Sequence, residues 1–206
     1  MNEVKQLQLP LSIADVQKLN AGDVVSLSGE IVLCAGMATH ERLSSYLQRN
    51  EPLPIDLAGG ALMHLGSYNE EVNGRFEVRY INPTTSSRFN DFMPSIIRGH
   101  GLRVVGGKGG LDERSAAAMH ETGCVYISFL GGACTLLSRA VQEVVTVEWG
   151  DFVPHYRLVK LRVENLGPAI VGIDAHGVSL YGQLADDAAA RLPSIMSEMN
   201  ASRGAP

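Results

Sequence analysis

The sequence predicts one compact α/β domain on a mixed sheet over residues 1–185, followed by a short C-terminal helix and a disordered tail over 186–206. Three observations predict it. Strand-like, loop-like and helix-like segments alternate from residue 82 to residue 141, a pattern that lays parallel strands side by side. Runs rich in β-branched residues flank that alternation, at 24–33 before it and at 144–148, 158–163 and 169–174 after it. The chain has 206 residues, 45% of them hydrophobic, which is enough for one core, and it shows neither a repeat nor a linker.

In chain order, Ile13, Val16 and Leu19 recur at helical spacing behind Ser12, a residue type that caps helix starts. Ala21, Gly22 and Asp23 turn the chain into a β-branched run interrupted at Ser28-Gly29-Glu30, which reads as two short strands or one bent strand. Helical spacing returns at 39–48, where Leu43 and Leu47 stand four apart. Residues 57–65 read as a turn and a buried strand, and 76–81 alternate as a strand. A polar loop at 82–88 precedes a helix through Phe89, Phe92, Met93, Ile96 and Ile97, which stops at Gly99-His100-Gly101. A strand at 102–105, a glycine loop at 106–110 and a helix at 112–122 follow. Next come a strand at 124–130, a loop at 131–134 and a third helix through Val141. Asp174-Ala175-His176-Gly177 reads as a turn, the last helix as broken at Pro193, and 202–206 as disordered.

The formal net charge of −5 argues against nucleic acid, whose binding relies on a basic face. No apolar run reaches the ~20 residues of a membrane span, and the first residues lack a basic-then-apolar leader pattern, so a cytoplasmic location is expected. Cys34, Cys124 and Cys134 are odd in number and widely spaced, with no C-x2-C pair. They read as reduced, partly buried thiols, and no metal site is expected on this chain.

Chemistry concentrates in three loops that each follow a strand and precede a helix, the position where open α/β sheets bind ligands. These are 82–88, 106–110 and 131–134. Arg88 offers a bidentate carboxylate clamp, Lys108 a point charge, and Thr84, Thr85, Ser86 and Ser87 a set of hydroxyls. Each loop also has a plain reading. The glycine–lysine loop lacks phosphate-loop spacing and serves equally as a solvated turn; the Thr-Ser run serves equally as a helix cap. The six histidines show no ligand spacing.

Read together, the loops carry more than they do singly. Asn82-Pro83-Thr84-Thr85-Ser86-Ser87-Arg88 followed by Gly107-Lys108-Gly109-Gly110, with His40-Glu41-Arg42, Gly131-Gly132-Ala133-Cys134 and the run from Gly167 to Gly177, stand in an order that resembles one family. It is the family of class I fumarase C-terminal domains and L(+)-tartrate dehydratase β subunits, and the likeness spans roughly 9–182.

The resemblance implies a swivelling β/β/α domain and a hydro-lyase, of fumarate hydratase or tartrate dehydratase type, that reversibly hydrates or dehydrates a small carboxylic acid. It implies activity only with an α subunit that holds a 4Fe–4S cluster, and none bound by this chain. It places Thr84 as the catalytic base, Arg88 and Lys108 on the substrate carboxylate, and Thr85, Ser86 and His40 beside the substrate. The isolated chain is expected to self-associate. One stretch departs from the pattern: Ala35–Thr39 lacks the Arg-Asp pair the family carries upstream of its histidine, which implies altered substrate specificity. The alternative is a non-catalytic module on the same fold that binds an organic anion or serves assembly.

Overall fold

A sixteen-residue strand, Leu158–Ile173, decides the architecture. The computed structural model describes residues 3–203. The elements are β1 (Lys5–Gln8), α1 (Ile13–Val16), β2 (Val24–Leu33), α2 (Met37–Gln48), β3 (Ala61–Met63), β4 (Leu65–Val72) and β5 (Arg75–Pro83). They continue as α3 (Met93–His100), β6 (Val104–Gly107), α4 (Glu113–Thr122), β7 (Val125–Ser128), α5 (Cys134–Ser138), β8 (Val141–Glu148), β9 (Leu158–Ile173) and α6 (Leu180–Arg203). Short 3-10 turns occupy Ser86–Phe89 and Pro154–Tyr156.

β2, β3, β6 and β7 lie parallel in that order. β9 then runs antiparallel to β7 on one side and to β2 on the other, so five strands close into a ring. β1 extends the parallel set on β2, and β8 pairs with the first half of β9. This is the mixed sheet the sequence calls for.

Closure follows from alternation. Val25, Leu27, Ile31 and Leu33 of β2 join Met63, Val104, Val125, Ile127, Val159, Leu161 and Val171 in one buried core inside the ring. The residues between them, such as Val32, Leu62, Val105 and Tyr126, face outward and bury Leu43, Met93, Ile96, Ile97 and Met119 of α2, α3 and α4. Helix ends match their sequence signals. Ser12 and Asp15 form a capping box on α1, Asp112 caps α4, and Gly123 closes α4 in the left-handed conformation.

Four expectations need correction, and one hairpin adds to them. The two C-terminal strands read at 158–163 and 169–174 are one, because β9 carries Asn165 and Gly167 through without leaving the sheet. The third helix is five residues long, and Val141 already belongs to β8. Gly106 and Gly107 are strand rather than loop. β4 and β5 form a hairpin about Asn73-Gly74, both at positive φ, where the sequence shows the dipeptide that favours such a turn. α6 runs unbroken through Pro193 to Arg203, and the rest of the tail expected to be disordered, 204–206, lies outside the described residues. No helix of the described residues is long and apolar enough to cross a membrane.

Candidate active site

A cleft of about 330 Å³ opens at the end of β6, lined by Thr84, Arg88 and Lys108 on one wall and by Ala35, Gly36, Met37, His155 and Tyr156 on the other. The first wall is a splice between two loops. Lys108 N–H donates to the Thr84 carbonyl at 3.1 Å, and Ser86 N–H donates to the Lys108 carbonyl at 2.8 Å. Thr84 N–H donates in turn to the carbonyl of His64 at 2.9 Å. The segment after β5 therefore continues the sheet beside β6 and holds Thr84, Thr85 and Lys108 in fixed register. Gly131, in the third loop, lies against the Lys108 side chain. The three glycine- and hydroxyl-rich loops do converge.

Beneath this wall lies a buried polar chain. His64 Nδ1 stands 2.8 Å from Ser86 Oγ, which stands 2.8 Å from Tyr126 OH. Gly107 makes room for it: a Cβ there would lie 2.2 Å from Ser86 Oγ and 3.0 Å from His64 Cβ. Burial, reinforced by the neighbouring His40 ring and the Arg88 charge, holds His64 well below the ordinary histidine range, so its ring is neutral. Burial likewise pushes the Tyr126 phenol up, so it stays protonated.

Arg88 reaches back across its own turn. Its Nη2 donates to Thr84 Oγ1 and its Nε to the Thr85 carbonyl at 3.4 Å. A guanidinium on a hydroxyl oxygen stabilises that oxygen when its proton leaves, and this exposed guanidinium keeps donors for an anion in the cleft.

The second wall is aromatic. The Tyr156 ring packs on Gly36 so closely that a Cβ would fall 2.5 Å from it, and Thr39 Oγ1 donates to the Tyr156 carbonyl at 2.6 Å. Among the described residues that line the cleft, the only arginine and lysine are Arg88 and Lys108.

Thr84, Arg88 and Lys108 are thus brought together. The backbone bridge with Lys108 places Thr85 beside them, outside the lining. Ser86 and His40 are placed differently from a substrate contact: both are fully buried. Ser86 spends its hydroxyl on His64 and Tyr126. His40 stacks on Phe89 with ring centroids 3.8 Å apart, and its Nδ1 donates to the Gly36 carbonyl at 2.7 Å. Burial lowers its pKa to about 4, so the ring is neutral and supports the aromatic wall from behind. His64, Tyr126 and Tyr156 belong to no local motif that would mark them in the sequence.

The cysteines do not form a ligand set. Cys34 and Cys124 are buried, and burial raises both thiols. Among the described residues no three His, Cys, Asp or Glu side chains are grouped to hold a metal ion.

Comparison with known proteins finds relatives over most of the chain. A family model described as Fumarase C-terminus matches residues 1–184. L(+)-tartrate dehydratase subunit beta of Escherichia coli K12 is 31% identical over 195 residues, covering 95% of this chain and 95% of its own. A Methanocaldococcus jannaschii protein provisionally given the same name is 35% identical over 175 residues, 84% of this chain and 89% of its own. A longer Geobacillus stearothermophilus protein, provisionally named a class I fumarate hydratase, is 32% identical over 176 residues, 85% of this chain and 33% of that protein.

Proposed function

This chain belongs to the Fumarase C-terminus family, and from that premise we propose that it is the β subunit of an iron–sulfur hydro-lyase acting on a small hydroxy acid. The observation that carries the proposal is the meeting of Thr84, Arg88 and Lys108 in one cleft, two cations beside a hydroxyl that one of them already contacts. The match to one third of a longer fumarate hydratase supports an α partner that supplies the remaining part as a separate chain. In this reading the domain is the family's swivelling β/β/α unit, and the complex works in the cytoplasm.

The chemistry assigned to this chain is proton transfer and charge stabilisation. Thr84 Oγ1, as the alkoxide held beside Arg88, takes the proton from the carbon beside a carboxylate while hydroxide departs from the neighbouring carbon and a double bond forms. Thr84 then passes that proton to the hydroxide, which leaves as water. An isolated threonine hydroxyl is a very weak base, so its oxygen needs positive charge close by. Arg88 supplies it directly. Lys108 and the free donors of Arg88 hold the carboxylate, onto which negative charge spreads as the C–H bond breaks. The residues present do not fit an iron–sulfur cluster, so the cluster, a 4Fe–4S group acting as Lewis acid on the leaving hydroxyl, is assigned to the α subunit.

The aromatic second wall supports a changed substrate, one whose far end is less polar than a second carboxylate. It also favours the alternative, an organic-anion-binding or assembly module without catalysis, because a wall without a cation holds a dicarboxylate poorly. Co-expression with the α subunit, anaerobic purification and assay against a panel of hydroxy acids separates the two. Water elimination from at least one panel member is expected. A complex with its cluster intact and no activity on any member would overturn the catalytic reading.

A further inference from the structure

The last twenty-one described residues are packed into no core. From Gln183 to Arg203 every residue of α6 is exposed, although the helix includes Leu184, Leu192, Ile195, Met196 and Met199. Only its first turn is anchored, by Tyr181, whose hydroxyl donates to Ser128 Oγ at 2.7 Å. Pro193 removes an internal hydrogen bond and divides this freestanding helix into stretches of a length that is marginal in water. A partner surface is what would hold it.

The residue pattern says which. Leu192, Ile195, Met196 and Met199 follow the i, i+3, i+4, i+7 spacing and share one face with Ala185 and Ala188. Positions 185, 188, 192, 195 and 199 fall alternately four and three apart as the two core positions of a heptad repeat. Arg191 and Glu198 then occupy the same flanking position in successive heptads, about 10.5 Å apart along the axis and too far to pair within one helix. The opposite flank carries Ala189, Met196 and Arg203, so a parallel pair of helices would join Glu198 to Arg203 but set Arg191 against Met196.

We propose that α6 is a homodimerisation element that pairs antiparallel with α6 of a second copy of this chain. One register satisfies both core and flank. Leu192 packs on Ile195 of the second copy and Met199 on its Ala188, large against small, and Met196 covers Ala189. In that same register Arg191 faces Glu198 of the second copy, and two-fold symmetry makes the bridge twice. The pairing spans residues 184 to 203, about 30 Å.

The α subunit is the weaker candidate for this surface. The family model ends at residue 184, where the freestanding part of α6 begins, so the seam lies outside the span of that model. The cleft that holds Thr84 also shares no lining residue with the groove at the base of α6, which runs between Leu111–His120 and Gly177–Asp186.

Sedimentation of the full chain alone tests the proposal. A dimer is expected, and Leu192→Glu should convert it to a monomer with its helical circular dichroism largely retained. Because that variant could unfold the tail, the exposed charges give a second measure. Arg191→Glu and Glu198→Arg singly put like charges face to face and should each weaken dimerisation about tenfold, and the double swap should restore it. A monomeric wild-type chain, a dimer indifferent to Leu192→Glu, or a double swap no better than the single variants would overturn the antiparallel pairing. So would an assembled complex in which the α subunit covers this face of α6.

Discussion

The two walls of the cleft are built by opposite means. The Thr84 wall is continuous with the closed sheet: three backbone hydrogen bonds tie Thr84, Ser86, Lys108 and His64 together, and a buried side-chain chain locks it from below. The Tyr156 wall is a short turn resting on a helix start, held by one threonine hydroxyl and by ring-to-glycine packing, with Tyr156 41% exposed. A wall fixed by the sheet suits atoms that must meet within tenths of an ångström. A wall made of a loop and an aromatic ring suits the part of a substrate that varies.

The largest effect should separate the walls by chemistry. Thr84→Ala in the assembled enzyme should lower turnover about 10³-fold, with Thr84→Ser keeping a substantial part, while stability barely changes. Turnover that survives the alanine substitution would remove the distinction and the catalytic role with it.

Next comes the response to acid, which probes what stands behind each wall. His40 backs the Tyr156 wall and His64 the Thr84 wall, with rings 5.1 Å apart, and burial depresses both. For His40 the folded value of about 4 lies below the ordinary 6.5. The unfolded chain therefore binds a proton that the folded chain refuses. The stabilisation is fully present above pH ~6.5 and is lost as pH falls toward ~4, about 3 kcal/mol for His40 alone. Urea titrations across that range should show the decline, and His40→Gln should flatten it by about one proton. Stability that stays level from pH 6.5 to 4.5 would mean the rings are not neutral in the fold.

A smaller structural effect is expected from Gly107→Ala. Its methyl group would strike Ser86 Oγ and His64 Cβ, so the Thr84 wall should lose about 1–3 kcal/mol and activity should fall with it. Melting curves and turnover measured on the same preparation check both.

How much of this was legible in the sequence follows from the range of each contact. The Thr84–Arg88 turn is local, and helix caps and glycine stops are local too, so the residues announce them. The polar chain beneath the site is not local: His64 meets Ser86 across 22 positions, and Ser86 meets Tyr126 across 40. Thr39 meets Tyr156 across 117, and only ring closure by β9 brings them together. Asn165 and Gly167 look like turn residues, yet β2 pairs with β9 from Val159 to Ile170 and carries it past them. The family resemblance puts His40 and Ser86 beside the substrate; both are fully buried here and support the walls. Pro193 argues locally for a break in the last helix, and the structure keeps the helix whole.

The smallest effect tests the softer wall directly. Tyr156 touches neither Thr84 nor Arg88 through any hydrogen bond among the described residues, and its hydroxyl-bearing ring faces the cleft opposite the cations. Replacing it with alanine enlarges the end of the cleft beside Gly36 and leaves the splice of Thr84 to Lys108 untouched. The expected result is a KM change of about tenfold that differs between substrates with small and bulky far ends, at nearly constant kcat, because uniform binding is altered and the reacting atoms are not. A large fall in kcat instead would show that the aromatic wall also positions the reacting carbon, and the division of labour between the walls would have to be abandoned.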